Sequence, residues 1–216
     1  MSNELLKEKV LQRLRADIVA NALKPGQFLS ERELSEEFKT SKTPIREAIQ
    51  MLYKEGFVQF LPQKGCFVSH VTLNDIRDIF QIREAIEGIA CRDAATRCDR
   101  SKLEAFEREF KSVTQDARER NENSYKASRE LGKRFHSFLI ESTGNQRLIE
   151  IATNANFHLL RMAAIYAFQY PPGVLAQIYA EHLDILEAVK ARNGKQAEAL
   201  MRAHIKNFME TLRMII

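Results

Sequence analysis

The sequence predicts a mostly α-helical protein: an N-terminal winged helix-turn-helix over residues 1–71, followed by a C-terminal six-helix antiparallel bundle over residues 72–216. Three observations predict it. Residues 1–70 carry short elements punctuated by turn glycines, Gly26, Gly56 and Gly65. Residues 71–216 carry six consecutive stretches of helical periodicity joined by short connections. Glycine and proline are sparse, 8 and 5 in 216 residues, which argues against a loop-rich or all-β architecture.

Each element has a local reason. A first helix is expected from about Leu5 to Leu23, with Val10, Leu11, Leu14 and Ile18 as its apolar stripe and Lys24-Pro25-Gly26 as its end. Ser30 and Glu33 form a capping box that opens a short helix through Phe38. A third helix is expected to start with Thr43 as N-cap and Pro44 in the first turn, where its missing N–H costs nothing. Ile45, Ile49 and Leu52 give it a buried face, and Gly56 ends it. Residues 57–61 and 66–70 read as two strands around a Pro62–Gly65 turn. Thr72 and Asp75 have capping-box spacing and mark the start of the second part. Helices then follow at about 73–98, 101–120, 124–142, 145–168, 172–192 and 195–214, with stripes such as Leu103/Phe106/Phe110/Val113.

Composition sets outer limits. The formal charge is +4, and residues 1–70 hold 11 basic and 9 acidic residues, so no block of like charge announces a partner. No window approaches the roughly 18 consecutive apolar residues of a membrane span. The start turns amphipathic at once, without a basic leader followed by an apolar run. Three cysteines, Cys66, Cys91 and Cys98, lack metal-site spacing and suit reduced thiols, so a cytoplasmic protein is expected. Cys91 and Cys98 share one helix face and read as packing residues, as do Phe106 and Phe110.

The stretch Ser41-Lys-Thr-Pro-Ile-Arg-Glu-Ala-Ile49 carries the chemistry of the first part. A recognition helix lays its N-terminal turn against base edges in the major groove, and that turn offers free N–H groups to phosphate. Ser41 and Thr43 add hydroxyl donors and Lys42 adds charge. Arg46 lies opposite the buried Ile45/Ile49 edge, where a guanidinium can fork onto a guanine. Arg32 opens the preceding helix, and Lys64-Gly65 stands at the wing tip beside the minor groove. The competing reading is a protein-binding winged helix with solvated surface charges.

Pro25-Gly26, Leu29-Ser-Glu-Arg-Glu-Leu34, Ser41-Lys-Thr-Pro-Ile-Arg-Glu-Ala48, Glu55-Gly56 and Lys64-Gly65 resemble the N-terminal winged helix of the GntR family of bacterial transcriptional regulators, over about residues 9–70. The resemblance implies that Arg32, Lys42, Arg46 and the wing at Gly65 contact double-stranded operator DNA. Lys42 stands where the family often has arginine; lysine keeps the charge and loses the bidentate fork. One winged helix contacts few bases, so a homodimer on a short inverted repeat is expected.

Four of the five histidines fall in the second part, on separate helices: His136, His158, His182 and His204. His182 lies between Ile178 and Ile185/Leu186, His204 between Leu200/Met201 and Phe208, and His136 beside Leu139/Ile140. Imidazoles turned inward from separate helices are what a metal site in a bundle requires, although each also suits a locally bonded core histidine. Arg83 interrupts the stripe Ile76/Ile79/Ile86/Ala90, with Glu87 one turn on as its ordinary ion-pair partner, and Arg161 lies beside Phe157, His158 and Ile165. Arginines and histidines converging on a cavity would favour a small organic anion.

Ile82-Arg-Glu-Ala-Ile-Glu87, Phe135-His136 with Gly144-Asn145, Glu181-His182 with Ile185-Leu186, and Met201-Arg-Ala-His204 resemble the all-helical FadR-type C-terminal domain of the same family. That resemblance implies one divalent metal, zinc or nickel, held by an aspartate and three histidines, the latter being His136, His182 and His204. The aspartate position, one turn before His136, is Gly132, and Glu130 lies on another face, so the three imidazoles either hold a metal with open positions or, metal-free, bind an acid directly. It also implies a small carboxylate effector, for which Arg83, Arg161 and His158 are the candidate contacts. The function expected is a ligand-responsive transcriptional repressor rather than an enzyme; the alternative is a metal sensor in which the ion is the signal.

Overall fold

In the computed structural model, which describes residues 3–116, 122–166 and 174–213, two compact units are seen. The first holds the described residues up to Ile76 together with residues 156–166; the second holds those of Arg77–Ala155 and residues 174–213. The expected helix ends at 117–120, 167–168, 172–173 and 214, and the side chain of Val113, lie outside the described residues.

In the first unit α1 (Asn3–Val19) buries Val10, Leu11, Leu14 and Ile18 as its stripe requires. It ends four residues before the expected Leu23. Asn21 takes a left-handed φ of 58°, and Ala22 N–H reaches back to Asp17 O at 2.8 Å, a Schellman turn that stops the helix before Pro25 can. α2 (Glu31–Glu37) starts as expected, with Ser30 Oγ accepting from Glu33 N–H at 3.3 Å. Lys39, at φ 50°, turns the chain into α3 (Lys42–Lys54). There the N-cap is Ser41, not Thr43, and it makes no side-chain cap bond. Pro44 is thus the third helical residue, still among the first four whose N–H groups have no partner in the helix. Gly56, at φ 82°, closes α3 with Phe57 N–H on Leu52 O at 2.9 Å.

Strands β2 (Val58–Leu61) and β3 (Gly65–Val68) form the expected hairpin, pairing Val58 with Val68 and Leu61 with Gly65. Gln63, at φ 61°, takes the left-handed place in the turn after Pro62, and Lys64 N–H bonds Leu61 O at 3.1 Å. A third strand was not foreseen: β1 (Phe28–Leu29) pairs antiparallel with β3, giving the order β1-β3-β2. Leu34, Ile45, Ile49, Leu52, Phe57 and Val68 join the α1 stripe in one core.

The helices α4 (Leu73–Arg97), α5 (Arg100–Asp116), α6 (Glu122–Glu141), α7 (Gln146–Tyr166), α8 (Val174–Lys190) and α9 (Gly194–Arg213) are the six expected from periodicity. α4 opens on a reciprocal capping box: Thr72 N–H donates to Asp75 Oδ2 at 2.7 Å and Asp75 N–H to Thr72 Oγ1 at 3.2 Å. Phe80, Cys91, Leu103, Phe110, Phe135, Leu139, Ile185, Leu186 and Met201 line the core of the second unit. Phe110 packs edge-on to Phe135, at 5.3 Å between centroids. Burial pushes the thiols of Cys91 and Cys98 up, as suits packing residues. No described helix is long and apolar enough to cross a membrane.

Candidate nucleic-acid interface and histidine centre

The recognition-helix residues sit where a groove could receive them. Ser41, Lys42 and Thr43 are exposed at the start of α3, one turn before Arg46. Arg46 is exposed, and its Nε donates to Glu31 Oε2 at 2.7 Å. That pair ties α3 to the start of α2, where Arg32 projects with its nearest carboxylate, Glu36, at 3.9 Å. An exposed pair of this kind is worth about 0–1 kcal/mol, so Arg46 can exchange Glu31 for a base or phosphate at small cost. Lys64 and Gly65 are exposed at the wing tip. Gly65 has a second reason to be glycine: at φ 101°, a Cβ would stand 2.7 Å from Cε2 of Phe28.

In the second unit, α6, α8 and α9 bring His136, His182 and His204 together. One ring nitrogen from each lies within 4.8 Å of the others. His136 Nε2 and His182 Nε2 are 3.1 Å apart, and the rings of His182 and His204 are 4.5 Å apart. Carboxylates fix two of the rings from behind. His136 Nδ1 donates to Glu87 Oε2, and His204 Nδ1 donates to Glu181 Oε2 at 2.7 Å. Each bond turns Nδ1 to a carboxylate and leaves Nε2 facing the cluster, where that of His136 is hydrogen-bonded to His182 Nε2 at 3.1 Å.

The electrostatics of His182 and His204 favour their neutral forms. Burial is the largest cause in lowering both His182 and His204, and the neighbouring imidazoles lower them further. Burial pushes Glu87 up, but Arg83 and His136 outweigh it and hold the carboxyl at about 2. Arg83 Nε donates to Glu87 Oε1 at 2.6 Å. The sequence identified that pair as an ordinary ion pair; its carboxylate proves to be shared with a histidine. Glu181 has no local signal in the sequence, since its bond to His204 joins two helices.

Among the described residues, three buried polar atoms here have no partner: Arg83 Nη1, Tyr179 Oη and His182 Nδ1. Tyr179 was not singled out in the sequence; burial pushes its phenol up to about 12. Gly132 lies against the cluster, its position for a Cβ 3.3 Å from Cε1 of His182. Glu130 is exposed and faces Lys133 at 3.7 Å.

The donor set suits a divalent metal. Zn–N bonds near 2.0–2.1 Å in a tetrahedron require nitrogens about 3.3 Å apart. The His136–His182 separation of 3.1 Å meets that requirement, and the 4.8 Å limit on all three leaves a small ring movement to close the set. His158 and Arg161 are placed elsewhere. Both fold with the first unit, where His158 Nε2 donates to Glu55 O at 2.7 Å and Arg161 Nη2 donates to Ser69 O.

Comparison with known proteins fits both parts. Residues 6–68 match the family "Bacterial regulatory proteins, gntR family", and residues 78–207 match the FCD domain. The chain is 29% identical over 210 residues to the HTH-type transcriptional repressor RspR of Escherichia coli strain K12, covering 96% of this chain and 89% of that protein. It is 29% identical over 215 residues to the HTH-type transcriptional regulator LutR of Bacillus subtilis strain 168, covering 88% and 93%. Among solved structures, E. coli McbR/YncC superposes with a TM-score of 0.74 at 19% identity, covering 99% of this chain and 98% of the other, which shows the shared fold. RspR and LutR are both named as transcriptional regulators. The chain belongs to the GntR family of DNA-binding bacterial transcriptional regulators, with a FadR-like FCD domain following its winged helix.

Proposed function

We propose that the chain is a cytoplasmic, ligand-responsive repressor that binds an inverted-repeat operator as a homodimer and releases or grips it according to a small organic acid held in the helical domain. In this reading residues 1–71 read DNA, and residues 72–216 receive the effector and contribute to the dimer. Arg46 reads a base in the major groove. Ser41, Lys42, Thr43 and Arg32 hold phosphates beside it, and Lys64 and Gly65 follow the backbone at the wing. The E. coli relative named as a repressor supports that direction of control.

The observation that carries the effector site is the cluster of three imidazoles backed by Glu87 and Glu181. His136, His182 and His204 would hold one divalent ion, zinc or nickel, through Nε2, and the ion would supply a Lewis-acid centre for a carboxylate oxygen. Glu87 and Glu181 orient their histidines. Arg83 has a buried Nη1 without a partner, which suits the anionic end of the acid. With glycine at position 132 the chain supplies no fourth side-chain ligand there, so an effector oxygen completes the set. His158 and Arg161, bonded to main-chain carbonyls in the first unit, leave this site to Arg83 and the histidines.

The metal-sensor reading makes a different demand: the ion alone must change operator affinity. Binding to a duplex selected by the wild-type chain from a random pool separates the two. We expect zinc alone to change affinity less than twofold, and zinc with one member of a panel of hydroxy and sugar acids to change it by about fivefold or more. A full response to zinc alone favours the sensor; no response to either removes both. Sedimentation at micromolar concentration tests the dimer, which a persistent monomer with and without the duplex contradicts.

A further inference from the structure

The base of the β2–β3 hairpin is held from both ends by one helix face. His158 Nε2 donates to Glu55 O at 2.7 Å, just before the hairpin begins. Its ring lies flat on Phe57, at 4.4 Å between centroids and 5° between planes. Three residues further along α7, Arg161 donates to Ser69 O, just after the hairpin ends. Ser69 N–H in turn bonds Phe57 O at 2.9 Å, closing the hairpin base. Phe157, next to His158, packs on the first unit's core, and the Arg15 guanidinium lies 5.2 Å from its ring. Arg15 also grips the Glu55 carboxylate, at 2.6 and 2.9 Å. Glu55 is therefore fixed by its main chain and its side chain together.

The Arg161 guanidinium argues that this contact has a purpose beyond packing. Arg161 is 1% exposed, and among the described residues no carboxylate is bonded to it and its Nε has no partner. Burial lowers it to about 10, against the opposing charge of Asp75. An apolar side chain would fill that space without the cost of burying a charge. What arginine adds is a long, directed donor to one main-chain oxygen. The hairpin needs such a hold, because two short strands alone are marginally stable and the third strand here has two residues. From its base to its tip the hairpin spans four residues, roughly 13 Å at strand rise, so a tilt of about 10° at the base displaces the tip by roughly 2 Å. That is enough to break a phosphate contact.

We propose that His158 and Arg161 are positioning residues for DNA binding: from α7 they fix the base of the hairpin and thereby aim the wing tip, Lys64 and Gly65. The proposal rests on the reading that the wing tip meets DNA. A purely structural role would cost stability and leave the wing's own contribution intact.

The test is a double-mutant cycle in the full chain, read as affinity and salt dependence on the duplex that the wild-type chain selects from a random pool. Lys64→Ala alone should lower the slope of log affinity against log salt by about one. His158→Phe keeps the stack on Phe57 and loses the bond; Arg161→Gln shortens the donor and removes the charge. Each should lower affinity about three- to tenfold, the scale of one lost hydrogen bond, and lower the salt slope as Lys64→Ala does. Combined with Lys64→Ala, each should lose little more. His158→Gln, which retains a donor, should recover most of the affinity. If His158→Phe loses its native circular dichroism, the cycle is read in Arg161→Gln and in Arg161→Lys. Losses that add to that of Lys64→Ala, with an unchanged salt slope in the single variants, overturn the proposal. A Lys64→Ala chain with a wild-type slope overturns the wing reading on which it stands.

Discussion

A Cβ on Gly132 would stand 3.3 Å from Cε1 of His182, so the residue one turn before His136 is in contact with the histidine cluster and not merely near it in sequence. The absent side chain leaves the space in which the His182 ring rests. Phe110 and Phe135 flank that ring, at 5.0 and 5.4 Å between centroids, so it cannot retreat freely.

This contact sets the outcome of Gly132→Asp. A carboxylate there adds an anionic oxygen beside the three imidazoles, and zinc affinity without effector should rise about tenfold or more. The same carboxylate, buried without zinc, should lower stability by about 1–3 kcal/mol through desolvation and crowding. Calorimetric titration of zinc, with urea unfolding of the metal-free chains, reads both. Equal zinc affinity in the two chains contradicts the ligand geometry.

Glu87 should write itself into the acid limb of stability. Its folded pKa, about 2, lies below the ordinary 4.5. A depressed carboxyl contributes stability that is present in full above about 4.5 and disappears as pH falls towards 2. The urea midpoint of the metal-free wild type should therefore decline between pH 4.5 and 2 more steeply than that of Glu87→Gln. Near pH 7 Glu87→Gln should be the less stable by about 3–5 kcal/mol, since Arg83 keeps a buried charge without its carboxylate. Parallel declines in the two chains would count against the shared Arg83–Glu87–His136 arrangement.

Arg46→Ala should cost about 1–3 kcal/mol of specific binding and relax base preference at one position in each half-site. Glu31→Gln should leave that preference intact, because the Glu31–Arg46 pair at 2.7 Å is exposed and weak. Competition with single-base variants of the selected duplex measures both. An unchanged preference in Arg46→Ala removes α3 as the reading element.

Much of this was legible from the sequence because it rests on period and caps. The α1 stripe, the Ser30 and Thr72 caps and the six later helices each follow from side chains at fixed offsets. The meeting of His136, His182 and His204 was legible because each interrupts an apolar stripe, and polar interruptions on packed helices find one another. What failed was set by single residues or by distant ones. Asn21 ended α1 early by taking a left-handed turn that many sequences decline. Two-residue β1 is too short to show a period and exists only through its pairing with β3. Glu181 supports His204 across two helices, which no local spacing encodes. The sequence offered His158 and Arg161 as effector contacts; their partners are main-chain oxygens, and a carbonyl has no signature in a sequence.

A ligand at the histidine cluster should change the grip on DNA. The most direct measurement is the operator dissociation constant of wild type and His136→Ala with and without zinc plus the acid panel. Wild type should change by about fivefold or more and His136→Ala not at all, with equal affinity for the two ligand-free chains. An unresponsive wild type, or an equal response in both chains, contradicts it.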